Sequence, residues 1–284
     1  MTSSEAEPTP WWGDFELDEN QGGRWEVGPS TLWLYRTERE WRVVYRAGIS
    51  SGEPDPLADN SRATVPAPAD EFEELFGVED DDLQISRHGF TKSQGAISLQ
   101  PALADRPVIS RPEHPMHVPA GETMTLYVST PLWMRVMLPD DRMLTELPSH
   151  RMSDTWFGTS TVDGELCYAT RTSGRSRLES LPVRLHRAVT PLKVKNSAND
   201  SLLLERVQLP VRHLSLYRDA SDRLWTDAVR MNRSEGAEGA DIQIRTGAPQ
   251  EAQKSTRIQT ARDESKRGLF TSTFGAFGAL FGSD

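Results

Sequence analysis

The chain has 284 residues, 36% of them hydrophobic and 26% charged, and a net charge of −10. That allows one large or two modest domains with a sizeable core, to which eight Trp contribute. It excludes a basic nucleic-acid footprint, an intrachain disulfide framework and a spanning helix: Cys167 is the one cysteine, and no run reaches about 18 to 20 apolar residues.

The lone cysteine favours a reducing, cytoplasmic setting. Residues 1–10 are rich in Ser, Thr, Glu and Pro, so they are expected to be a disordered N-terminus and lack the basic and apolar regions of a signal peptide. The charge is uneven. Between Glu53 and Asp82 there are eleven carboxylates against Arg62, which accounts for the excess and reads as a solvated acidic loop or a face for a basic partner.

Ordered structure is expected from Trp11. Residues 31–36 (TLWLYR) and 41–46 (WRVVYR) alternate at strand period around a short polar link, which predicts a hairpin. Its strands are apolar on both faces, so both faces should be covered. Residues 51–69 hold four Pro and predict a loop. Residues 70–77 (DEFEELFG) begin with acids and end on Gly, which predicts a short helix.

Short strand signals follow at 85–87, 96–99, 123–129 and 132–138, punctuated by Pro and Gly. Residues 153–158 (SDTWFG) read as a tight corner between two β halves, or as a rigid aromatic surface for a ligand. More strands are expected at 166–170, 183–186, 192–195, 202–209, 214–217, 224–231 and 242–245, with turns at 196–201 and 219–222. Leu34-Tyr35-Arg36 before Trp41 is echoed by Leu216-Tyr217-Arg218 before Trp225, as a duplicated unit or a chance likeness. Folded structure should finish near Arg245.

The fold class expected is therefore all-β: two sandwich- or barrel-like halves, joined near residues 148–155. The first spans 11–150 and contains the acidic Pro-rich loop at 51–82. The second spans 151–246. Residues 247–284 form a linker and an apolar aromatic tail. There Phe270, Phe274, Phe277 and Phe281 recur at helical spacing, flanked by Leu269 and Leu280 and preceded by Arg257, Arg262, Lys266 and Arg267. The stripe could fold back on the chain's own core, dock in a partner's groove, or lie in a membrane interface. Four Gly weaken the helix, which would form only on contact. Leu269, Phe270, Phe274, Phe277, Leu280 and Phe281 are the candidate partner-binding residues.

Catalytic signals are absent. His114 and His117 are a close pair without further ligands at metal spacing, so no metal or other cofactor is expected. Cys167 has no local base and reads as a buried structural thiol. No nucleophile elbow, P-loop or dinucleotide fingerprint occurs.

The strings at 111–113 (RPE), 118–121 (VPAG), 129–133 (STPLW), 153–158 (SDTWFG) and 190–197 (TPLKVKNS), with Leu204-Glu205-Arg206 and Leu214-Ser215-Leu216-Tyr217, resemble the domain of unknown function family number 432. The resemblance runs from Trp11 to Arg245 and leaves the tail outside. Some relatives are fused to, or encoded beside, small-conductance mechanosensitive channels. The resemblance thus implies a non-enzymatic binding or regulatory module, a cytoplasmic accessory of such a channel, peripheral to the inner membrane. It supplies no catalytic residues. Two alternatives stay open: a small-ligand binder or enzyme with a site between the β halves, and a structural protein that self-associates through its tail.

Overall fold

The computed structural model describes residues 10–48, 61–77, 82–112, 114–158, 164–235, 240–264 and 269–272. The fold is all-β, with a single α-helix among these residues. The chain divides into two units that interleave in sequence. Unit 1 takes residues up to Ala102, then Leu132–Arg151 and Arg184–His186; unit 2 takes Leu103–Pro131, Met152–Val183 and the chain from Arg187 on. One crossing falls at Arg151, within the expected join. The others fall inside segments that read as continuous halves.

Unit 1 contains β1 (Gly13–Glu16), β2 (Gln21–Val27), β3 (Ser30–Thr37), β4 (Glu40–Arg46), β5 (Arg62–Thr64), α1 (Ala69–Gly77), β6 (Leu83–Gly89) and β7 (Ala96–Ala102). Two later strands join it, β11 (Trp133–Met137) and β12 (Met143–Pro148). They form a five-stranded sheet, β5-β2-β3-β4-β6, and a four-stranded sheet, β1-β7-β11-β12. Period-2 alternation sends Trp25, Leu32, Leu34, Trp41, Val43 and Tyr45 to one face of the larger sheet. The smaller sheet meets that face: the Phe15 ring stands edge-on to Trp25 at 5.2 Å, and the Tyr45 hydroxyl donates to the Pro148 carbonyl at 2.7 Å.

The opposite face is covered by α1, as the doubly apolar hairpin requires. Trp33 and Val44 pack with Phe72, Leu75 and Ala67. The Trp33 indole N–H donates to Glu71 at 2.6 Å, and Arg24 pairs with the same carboxylate at 3.1 Å. Gly22 lies under Phe72, where a Cβ would sit 2.0 Å from the ring.

The strand expected at 183–186 does not form. Arg184–His186 belong instead to unit 1, where the Leu185 carbonyl accepts from the Trp11 indole at 2.9 Å and the His186 carbonyl accepts from the Leu132 amide at 3.2 Å. Gly28, at φ +59, turns against the His186 ring, which a Cβ there would meet at 2.7 Å.

Unit 2 contains β8 (Val108–Pro112), β9 (Met116–Val118), β10 (Thr123–Pro131), β13 (Ser153–Phe157), β14 (Glu165–Arg175), β15 (Arg187–Asn196), β16 (Leu202–Leu204) and β17 (Val207–Leu209). It continues with β18 (Leu216–Arg218), β19 (Leu224–Thr226), β20 (Ala228–Arg233), β21 (Ala240–Arg245), β22 (Thr256–Gln259) and β23 (Leu269–Ser272). Twelve of these strands make one branched sheet, with the path β17-β8-β14-β10-β15-β19-β18-β22. The strand β13 joins at β14, and β20, β21 and β23 extend in turn from β15. A separate ribbon pairs β16 with β9.

Two expected strands are broken in this unit. The run 202–209 stops at Glu205-Arg206, and 224–231 stops at Asp227. Asp227 is fully buried and accepts from the Ser215 amide at 2.6 Å, the Tyr217 hydroxyl at 2.8 Å and the Gly247 amide at 2.8 Å. The echoed Leu-Tyr-Arg strings both lie in hairpins, but Trp41 faces Arg36 whereas Trp225 faces Tyr217, so the registers differ by one residue.

Ordered structure does not finish at Arg245. Ala252 lies in a core cluster with Leu181, Val189, Tyr217 and Trp225, β22 pairs with β18, and β23 pairs with β21. The segment after β21 is part of unit 2 and not a linker.

Candidate functional site

The SDTWF run is a strand and not a corner. In β13, Asp154 pairs in register with Tyr168 and Trp156 with Leu166, while Thr155 faces Cys167. Ser, Asp and Gly favour turns in isolation, but here the partner strand β14 decides the conformation. Alternation then splits the aromatic pair. Phe157 is buried with Ile109 and Cys167, under the Arg206 guanidinium, whose centre lies 5.6 Å from the ring centroid. Trp156 points the other way and stays 49% exposed.

Charged groups gather on the Asp154 side of the strand. Arg106 Nη1 lies 3.2 Å from Asp154 Oδ1, and its guanidinium stands 5.3 Å from the Tyr168 ring centroid. The Tyr168 hydroxyl donates to Asp105 Oδ1 at 3.0 Å. Burial, reinforced by the Asp105 carboxylate, pushes the Tyr168 phenol up to about 12, so it stays protonated as a donor.

The loop that carries Asp105 and Arg106 is held at both ends. Leu103 and Ala104 are buried, and the Leu103 carbonyl accepts from Arg262 Nε at 2.8 Å and Nη2 at 2.5 Å. At the other end the Tyr168 amide donates to the Pro107 carbonyl at 2.9 Å.

Among the described residues β13 has β14 as its one strand partner. Its other edge therefore presents backbone donors and acceptors beside a half-exposed indole and an ordered carboxylate–guanidinium pair. Such an edge can add an extended segment by main-chain pairing, while Trp156 supplies apolar area and Arg106 and Asp154 supply a polar rim.

Cys167 is fully buried, with Gln208 Nε2 at 3.3 Å, and burial pushes its thiol up to about 11. His114 and His117 are exposed, and among the described residues no three His, Cys, Asp or Glu side chains gather to hold a metal. Also among them, no helix is long and apolar enough to cross a membrane.

The tail residues differ from their expected helix where they are described. Leu269 and Phe270 lie in β23, opposite Gln243 and Ile242 of β21. Phe274, Phe277, Leu280 and Phe281 lie outside the described residues.

A family model matches residues 11–278. The chain belongs to the DUF432 family, described as a protein of unknown function. No curated protein and no solved structure matches it. The DUF432 match continues beyond Arg245 through β22 and β23 and takes in Phe274 and Phe277, so the family region extends into the tail. It also spans both units, including the β13 edge and the Arg262 clamp.

Proposed function

We propose that this DUF432 protein is a binding module that takes an extended protein segment along the free edge of β13. The observation that carries the reading is that, among the described residues, β13 pairs with β14 alone, with Trp156 exposed on the strand and Asp154 held by Arg106. An exposed edge normally recruits other chains unless it is blunted, and this one is short and carries a charge, which favours a selective encounter over aggregation.

The partner we propose is a membrane channel of the small-conductance mechanosensitive type, with the chain as its accessory. Family resemblance supports that choice. The test is co-purification of full-length protein with the channel from solubilised membranes, comparing wild type with Trp156→Ala and Arg106→Glu. Recovery by wild type and its loss in both variants is the expected result. Equal recovery by all three, or none by wild type, overturns the reading. A dimer in light scattering that Trp156→Ala dissolves would assign the edge to a second copy of the chain instead.

A further inference from the structure

A second surface of unit 2 carries a charge pattern opposite to that of the whole chain. Registers across β10, β15, β20 and β21 place Thr125, Lys193, Arg230 and Gln243 in one row, and Thr123, Lys195, Asn232 and Asp241 in the next. Arg245 follows Gln243 two residues along β21, on the same face. Alternation confirms the face: Leu192, Val194, Val229, Met231, Ile242 and Ile244 are buried between these positions, while Lys193, Lys195 and Arg245 are exposed and Arg230 is half-buried.

Lys193 and Arg230 are direct cross-strand neighbours, an arrangement of like charges that destabilises a sheet. None of the four cations forms an ion pair among the described residues, and Asp241 is the one carboxylate in the two rows. The cationic field ends toward Tyr127, whose hydroxyl donates to Glu251 at 3.0 Å. Four cations without an ion pair among the described residues make this sheet face locally cationic in a chain of net charge −10, which favours an anionic partner there.

We infer that this face docks on an anionic lipid surface. Strands about 4.8 Å apart spread the four charges over an open area, where they act as separate point charges on headgroups without converging on one group. The attraction is short-ranged, because the Debye length is about 8 Å at physiological salt.

The experiment is co-sedimentation of full-length protein with vesicles of phosphatidylcholine alone, or of phosphatidylcholine with phosphatidylglycerol, at low and high salt. Binding should require phosphatidylglycerol and fall with salt. Each cation removed should weaken it about 5-fold. The K193Q/K195Q/R230Q/R245Q variant should therefore lose on the order of several hundredfold, while K193R/K195R should bind like wild type. Three of the sites are exposed and Arg230 is half-buried, and circular dichroism checks that the variants fold. Equal binding to both vesicle types overturns the inference, as does unchanged binding by the quadruple variant. Binding to soluble polyglutamate without binding to vesicles also overturns it, and would assign the face to an acidic protein segment.

Discussion

Replacing Asp227 should loosen unit 2 from its centre. The carboxylate is fully buried and satisfies three donors from three places in the chain: the Ser215 amide, the Tyr217 hydroxyl and the Gly247 amide. In Asp227→Ala all three lose their acceptor, and a buried unsatisfied polar group costs about 1–3 kcal/mol. Relaxation and water entry recover part of that, so the expected loss is about 3–5 kcal/mol. Asp227→Asn keeps the shape but loses the charge, and should cost about 1–3 kcal/mol. Urea unfolding followed by circular dichroism, with amide exchange at Gly247, reads both effects. The Gly247 amide should lose protection first, because its segment leads on to Arg262. A loss below about 1 kcal/mol in Asp227→Ala would refute the reasoning, since it would mean the three donors find other acceptors.

Gly22→Ala places a methyl into the Phe72 ring, so α1 must shift, and thermal unfolding should show a loss of about 1–3 kcal/mol. Glu40 is held at about 2 by its hydrogen bond with Arg87, aided by Arg42, against some desolvation. Its depressed value means the stabilisation is present above the ordinary value of 4.5 and is lost as pH falls toward 2. Acid titrations of wild type and Glu40→Gln should therefore converge over that window, with the wild type the more stable above it. Cys167 should resist thiol reagents in the native state at mildly alkaline pH and react only on unfolding, which a thiol titration with and without denaturant would show.

Much of unit 1 was legible because its signals are local. The β3–β4 hairpin shows period-2 alternation on adjacent segments, and α1 carries its acids and its terminal Gly within nine residues. The doubly apolar strands also foretold a cover on each face. Legibility failed where distant pairing decides the conformation. Ser153–Phe157 has turn-forming residues and becomes a strand only because β14 lies alongside. The phenylalanine spacing after Gly268 reads as helical, yet Leu269–Ser272 pairs with the edge of β21.

The candidate site was only half legible. Its exposed tryptophan lies in a run whose composition stands out, and a surface role was one of the two readings of that run. Its charged half comes from Asp105 and Arg106, which lie 48 residues or more before Asp154 and Tyr168 and share no sequence pattern with them. The interleaving of the units hid for a related reason. The crossings at Ala102, Pro131, Val183 and His186 fall beside ordinary Pro-punctuated strand ends, and only the pairing of β7 with β11 and of β10 with β15 separates them.

Hydrogen exchange across the chain, with and without the solubilised channel, tests the proposed docking edge most directly. Protection should rise within Ser153–Phe157 on complex formation and stay unchanged along β22, another terminal strand of the same sheet. Unchanged exchange in Ser153–Phe157 together with new protection elsewhere would contradict the assignment of β13 as the docking edge.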